Sequence, residues 1–184
     1  MEQKSTFWKS AMIYGLYIGI FFTFYSVLLY ATGQTTNKAL GYISFPLYAL
    51  AIVLVQFHYR NTERNGIISY GEAVGIAAAA MLFSGVISAL YTLILYSFID
   101  PGLIQQMKTL QEEALVQKGM SEDQVEAAMS ITSKMMTPGW MSIMGLFGSV
   151  FIGTIISLVS SIFVKKLPSE DAFDEAMEDV KTEE

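Results

Sequence analysis

No cysteine occurs in this chain of 184 residues, and it has a single histidine. Without thiols there is no disulfide, no thiolate metal site and no thiol nucleophile. One histidine falls short of the three or four protein ligands that a zinc site takes. Charge is missing where the chain is most apolar. Residues 11–31, 39–57, 73–99 and 139–164 contain no Asp, Glu, Lys, Arg or His. Ionisable groups inside membrane segments mark ion pathways and proton relays, so their absence argues against proton-coupled or cation-coupled transport. No cofactor or metal site is legible, and no cluster of acids, His or Cys supports an enzyme.

What the chain does have is length in its apolar runs. Each run approaches or exceeds the 20 or so residues that a helix needs to cross a hydrocarbon core about 30 Å thick. Only a helix satisfies its own backbone hydrogen bonds there. The expected fold class is an all-α membrane protein with four transmembrane helices in one domain, 1–166, and an acidic cytoplasmic tail, 167–184. The formal charge of −6 resides in that tail, where eight acidic residues stand against Lys181 alone. The rest of the chain is near neutral and has no basic stripe, which argues against nucleic acid as a partner. The tail itself reads as an acidic helix capped by Ser169, with Phe173, Ala176, Met177 and Val180 on one face. The first run is too long for a cleavable signal peptide and reads as an uncleaved anchor.

Basic residues set the expected orientation. Lys4, Lys9, Arg60, Arg64, Lys165 and Lys166 fall on one side, and Lys38, Lys108, Lys118 and Lys134 on the other. The positive-inside rule then puts both termini and the loop 58–72 in the cytoplasm and the connection 100–138 outside. That connection is too rich in helix signals for a plain loop. Asp100-Pro101 opens a helix, Leu103, Ile104, Met107, Leu110 and Ala114 recur at helical spacing, and Gly119 stops it. Ser121 and Gln124 form a capping box for a second helix, with Val125, Ala128, Met129, Thr132, Met135 and Met136 on its apolar face. The expectation is an extramembrane αα-hairpin over about 101–136. Its two apolar faces are expected to pack on each other or on the rim of the bundle; the alternative is that Met107, Leu110, Met129 and Met136 form a candidate partner surface or lie in the membrane interface.

Within the membrane, Gly145, Ser149, Gly153, Ser157 and Ser161 follow one another at i, i+4 spacing. Small residues let helix backbones approach closely where lipid removes any hydrophobic driving force between helices. Gly15 and Gly19 on the first helix, and Gly71 and Gly75 at the start of the third, offer matching faces. These are candidate helix-packing residues, within the chain or in a homodimer. Tyr14, Tyr17, Phe21, Phe24 and Tyr25 band the first helix and need acceptors for any buried hydroxyl. Ser and Thr hydroxyls or carbonyls beside the glycines of the fourth helix are the expected acceptors. His58, Arg60, Arg64 and Glu72 surround the short loop and form a candidate interfacial anchor.

Three segments carry a resemblance: Tyr14-Gly15, Ile68-Ser69-Tyr70-Gly71-Glu72-Ala73, and Tyr96-Ser97-Phe98-Ile99-Asp100-Pro101. With them, residues 5–166 resemble the bacterial four-helix membrane proteins of domain-of-unknown-function family 4199. The resemblance implies a bacterial inner-membrane location and four helices with an external helical insertion. It implies no activity, and the acidic tail lies beyond its pattern. The function expected from all of this is a non-enzymatic interaction, accessory or assembly role. The partners expected are the lipid bilayer and either a second copy or another membrane protein. The alternative is a subunit of a small oligomeric transporter or channel for an uncharged or hydrophobic solute.

Overall fold

A computed structural model describes residues 2–167, and the acidic tail read above lies outside them. The described residues form six helices: α1 (Glu2–Ala31), α2 (Lys38–Glu63), α3 (Tyr70–Ile94), α4 (Gly102–Gln117), α5 (Glu122–Met135) and α6 (Pro138–Val164). A π-helical turn, Leu95–Ile99, extends α3. Among the described residues, four segments are long and apolar enough to cross a membrane: Thr6–Ala31, Lys38–Glu63, Tyr70–Ile99 and Pro138–Val164. The chain is thus built as a multi-pass helical membrane protein. Among the described residues there is no strand, only one antiparallel bridge between Ile68 and Lys166.

Local chemistry explains most of the boundaries. Asn37 caps α2 by accepting from the Ala39 N–H at 3.0 Å, and the Ser69 hydroxyl accepts from the Glu72 N–H at the start of α3. Gly119 ends α4 with φ +78°, a conformation that a side chain would strain. At α5 the Ser121 N–H donates to Gln124 Oε1 at 3.0 Å, completing the capping box. Pro138 occupies the first turn of α6, where its missing N–H costs nothing. One start differs from expectation. Pro101 stands just before α4 and the helix begins at Gly102, with Asp100 contributing its backbone carbonyl to the Leu103 N–H rather than a side-chain cap.

Helix α3 is the centre of the bundle. It packs most extensively on α6 and α1, while the backbone of α2 lies closest to α6 and meets α1 through side chains such as Tyr48 on Phe22. The buried core accordingly gathers Ala73, Ile76, Ala77, Ala80 and Met81 of α3 with Ala11, Ile18, Phe22, Ile52, Val55 and Tyr59. The alanines allow the close approach, and most other large apolar side chains face outward, as lipid permits: Phe98, Phe147, Phe151 and Phe163 are all exposed. The half of α2 nearest α4 and α5 is less tightly held. It contains Pro46, which removes one N–H from the helical ladder. Cavities of about 240 and 260 Å³ flank Ser44 and Tyr48 there.

Helices α4 and α5 contact each other, and their main contact with the four long helices is through the π-helical turn. Leu103 and Val125 are their buried residues, whereas Leu110, Val116, Ile131 and Met135 are exposed.

Candidate functional site

Two polar constellations and one groove stand out from the apolar background. The first is centred on Gln56, the one carboxamide in the four charge-free runs. Its place on α2, facing α3 and α6, buries it completely. The amide nitrogen donates to Ser161 Oγ at 2.9 Å, to the Ala73 carbonyl at 3.1 Å and to the Ser157 carbonyl at 3.4 Å. Its Oε1 accepts from the Ser160 hydroxyl at 2.7 Å. Gln56 therefore ties three helices through one side chain. It is uncharged, its partners are serine hydroxyls and backbone carbonyls, and it positions the three helices.

The second constellation closes the end of the bundle where the loop between α2 and α3 meets the end of α6. Arg64 forms an ion pair with Glu72 and donates from Nε to Tyr59 Oη at 3.1 Å, and the Tyr59 hydroxyl donates to Glu72 at 3.3 Å. Burial alone would lower the Arg64 pKa, but Tyr59 and Glu72 outweigh it and raise it above the ordinary arginine value. Arg60 points elsewhere and donates to the Val164 carbonyl at 3.1 Å, capping the C-terminus of α6. The backbones of Ile68 and Lys166 exchange two hydrogen bonds beside it, at 2.9 and 3.0 Å. Glu63 accepts from the hydroxyls of Ser10 and Tyr14, the latter at 2.7 Å, and so binds α2 to α1. His58 is exposed and meets Tyr14 edge to face.

Of the four loop residues singled out from sequence, the structure thus joins Arg64 and Glu72, sends Arg60 to α6 and leaves His58 out of the polar network. The Arg64–Glu72 side chains are only 24% and 26% exposed, which places the pair between a solvated and a buried ion pair. Glu72→Gln is expected to lower stability by about 1 kcal/mol, less so at high salt. Chemical unfolding in detergent at two salt concentrations measures this.

The small residues face inward, with two exceptions. A Cβ on Gly15 would meet the Ala80 carbonyl oxygen and Phe83 Cβ, both at 2.5 Å, and one on Gly19 would meet Ile87 at 2.7 Å. Gly153 faces Met81 at 2.6 Å, and Ser149 sits against Gly85 of α3. Ser157 and Ser161 are buried at the Gln56 node. Gly75 has room, with Phe7 at 3.6 Å, while Gly71 and Gly145 face open space. Gly85 completes the fit of α3 to α6. The stripe on α6 is therefore occupied within the chain from Ser149 to Ser161, and a second copy would have to dock elsewhere.

The groove lies between α4 and α5 and has a volume of about 890 Å³. Val116, Met120, Val125 and Met129 give it apolar patches, and Lys108, Glu112, Glu122 and Glu126 its charges. Met129 and Met107 are half-buried, as is Met136 at the end of α5, and Leu110 is exposed.

Gln56 and Glu63 were missed in the sequence because neither interrupts a hydropathy pattern. A lone amide in a charge-free run was the available signal for Gln56. Among the described residues no three His, Asp or Glu side chains gather as a metal-binding group.

Comparison with curated proteins and with solved structures gives no match. A protein family of unknown function does match, over residues 13–166. That stretch takes in α1 from residue 13 onward and all of α2 to α6, and the chain belongs to this family, DUF4199.

Proposed function

We propose that the protein is a non-enzymatic accessory protein of the bacterial inner membrane that binds a basic amphipathic helix of a partner in the groove between α4 and α5. The groove carries the reading. It combines apolar patches with three glutamates against one lysine, and it belongs to two helices that make little contact with the membrane bundle. Its net negative charge favours lysines or arginines along the edge of the bound helix, and its valines and methionines favour an apolar face. In this reading both termini are cytoplasmic and the α4–α5 hairpin is outside. Arg60, Arg64, Lys165 and Lys166 support this, because the Arg60–Val164 and Ile68–Lys166 contacts gather their backbones at one end of the bundle.

The test uses the full chain in detergent and a fluorescent helical peptide with a leucine face edged by lysines. Saturable binding is expected, weakened about tenfold or more by Glu122→Lys with Glu126→Lys. An analogue with glutamates in place of lysines should not bind. Equal binding of both peptides, or indifference to the charge reversal, would overturn the reading. The alternative of a transporter subunit has less support, because the Gln56 network fills the junction of α2, α3 and α6 with hydrogen-bonded side chains.

A further inference from the structure

The cavity of about 240 Å³ between α1, α2 and α3 has an unusual lining for a span of apolar helices. Six hydroxyl-bearing residues besides the tyrosines Tyr25 and Tyr48 line it: Thr23 and Ser26 of α1, Ser44 of α2, and Ser88, Tyr91 and Thr92 of α3. Its remaining side is aromatic, formed by Phe22 and Tyr48 stacked at 3.8 Å between ring centroids. No charged side chain lines it.

Among the described residues, the two buried side-chain oxygens without a hydrogen-bond partner are Thr23 Oγ1 and Tyr91 Oη. Both belong to this one cavity. A helical threonine ordinarily donates to the carbonyl one turn back, as Thr154 does to Val150 at 2.7 Å and Thr132 to Ala128 at 2.9 Å. Thr23 does not. Tyr25, close by on α1, does find a partner, the Leu40 carbonyl at 3.0 Å. An orphaned buried hydroxyl costs roughly 1–3 kcal/mol, and hydrocarbon offers no water to relieve it. Two in one cavity mark the place of an occupant that donates and accepts hydrogen bonds.

The surroundings define its chemistry. With no charge in the wall, a phosphate or ammonium group would be stranded, so the occupant is neutral. Liquid water takes about 30 Å³ per molecule, so the space suits a group of a few heavy atoms, the size of a glycerol unit. Around the cavity, α1 and α2 are joined by the Phe22–Tyr48 stack and by the Tyr25–Leu40 hydrogen bond. Thr23 and Tyr91 each lie eight residues from the end of their apolar segment, roughly 12 Å of helix rise. That is below the charged headgroups, at a depth where a polar group without charge is far less costly to bury than an ion.

We propose that this cavity binds the glycerol hydroxyl of a neutral diacyl lipid, with Thr23 and Tyr91 as its hydrogen-bonding partners. The site is separate from the groove between α4 and α5 and stands or falls independently of it.

The experiment is native mass spectrometry of the full chain with dioleoylglycerol as probe and dioleoylphosphatidylglycerol as the charged control. One dioleoylglycerol per chain should be retained in preference to the control. Thr23→Val with Tyr91→Phe should weaken retention about tenfold or more. Both replacements keep shape and remove only hydroxyls, so the double variant should remain folded, as its melting temperature will report. Equal retention by the double variant would overturn the proposal. So would retention of neither lipid, which would leave water as the occupant. Displacement of the lipid by free glycerol at matched concentration would overturn the lipid assignment.

Discussion

Gly15→Leu unfolds the bundle, and even Gly15→Ala lowers its stability by about 2 kcal/mol or more. The expectation follows from what stands opposite. A Cβ at this position would come within 2.5 Å of the Ala80 carbonyl oxygen, a backbone atom in the helix on which α1 and α6 both rest. No rotamer change relieves that contact, so α1 must move away from α3. The loss outweighs the gain of about 0.5–1 kcal/mol that alanine brings to a helix in place of glycine. Two other glycines supply the contrast. At Gly153 the opposing atoms belong to Met81, whose flexible side chain can give way, so Gly153→Ala should cost about 1 kcal/mol. At Gly145 nothing lies within 4 Å, and alanine should be neutral or slightly stabilising. Thermal unfolding of the three variants in one detergent should therefore rank them Gly145→Ala, Gly153→Ala, Gly15→Ala in descending stability. A destabilised Gly145→Ala alongside a tolerant Gly15→Ala would show that the helices are not paired as described.

The second large effect belongs to Gln56. Gln56→Ala removes a fully buried side chain and leaves a void among α2, α3 and α6, at an expected cost of about 3–4 kcal/mol. Gln56→Leu should cost only about 1–2 kcal/mol. Leucine refills most of the volume, and hydrogen bonds between membrane helices average only about 0.6 kcal/mol each. Ser160 also has a fallback in the Ser157 carbonyl at 3.3 Å. Gln56→Glu should make stability depend on pH. Uncharged, the carboxyl can donate and accept much as the amide does. Once ionised it carries a buried charge whose nearest cation, Arg60 one turn on, is already engaged by the Val164 carbonyl, so the variant should weaken as pH rises. Melting curves across a pH series, with the wild type as reference, test this. A flat profile for Gln56→Glu would mean that the position is wetter than its burial implies.

These two positions differ in how visible they were beforehand. Gly15 belongs to a face of small residues at helical spacing, and such faces have one main use in lipid, so its role could be read from α1 alone. Gln56 could not be read that way. Its partners Ser160 and Ser161 lie more than a hundred residues away in the chain, and a lone amide hardly changes the hydropathy of its run. The four long helices were legible because charge-free length is a local property. Their ends were less so: α2 continues through His58, Arg60 and Asn61 to Glu63, six residues past the apolar run, because Glu63 and Tyr59 have partners on α1 and α3. The break between α4 and α5 was legible in Gly119 and the Ser121–Gln124 box, whose chemistry is local. The pairing of Arg64 rather than Arg60 with Glu72 was not, because what claims Arg60 is the end of a helix about a hundred residues away. The hydroxyl-lined cavity was invisible for a similar reason. Serines, threonines and tyrosines are dispersed along α1, α2 and α3, and only packing brings Thr23 and Tyr91 to one wall.

The pairing of Ile68 with Lys166 has a consequence for the order in which the protein is made. A ribosome delivers α1, α2 and α3 to the membrane well before α6. Over that interval α2 lacks the helix on which it mainly rests, Gln56 has Ala73 but neither serine, and Arg60 has no carbonyl to cap. The α1–α3 pair can form early through Gly15 and Gly19, with α2 still loose beside it. Only when residues 164–166 emerge do the cap on Val164 and the two hydrogen bonds to Ile68 become available. The nascent chain is thus most open to lateral escape or proteolysis until its final helix is inserted, and a stop anywhere before α6 leaves a bundle that cannot close.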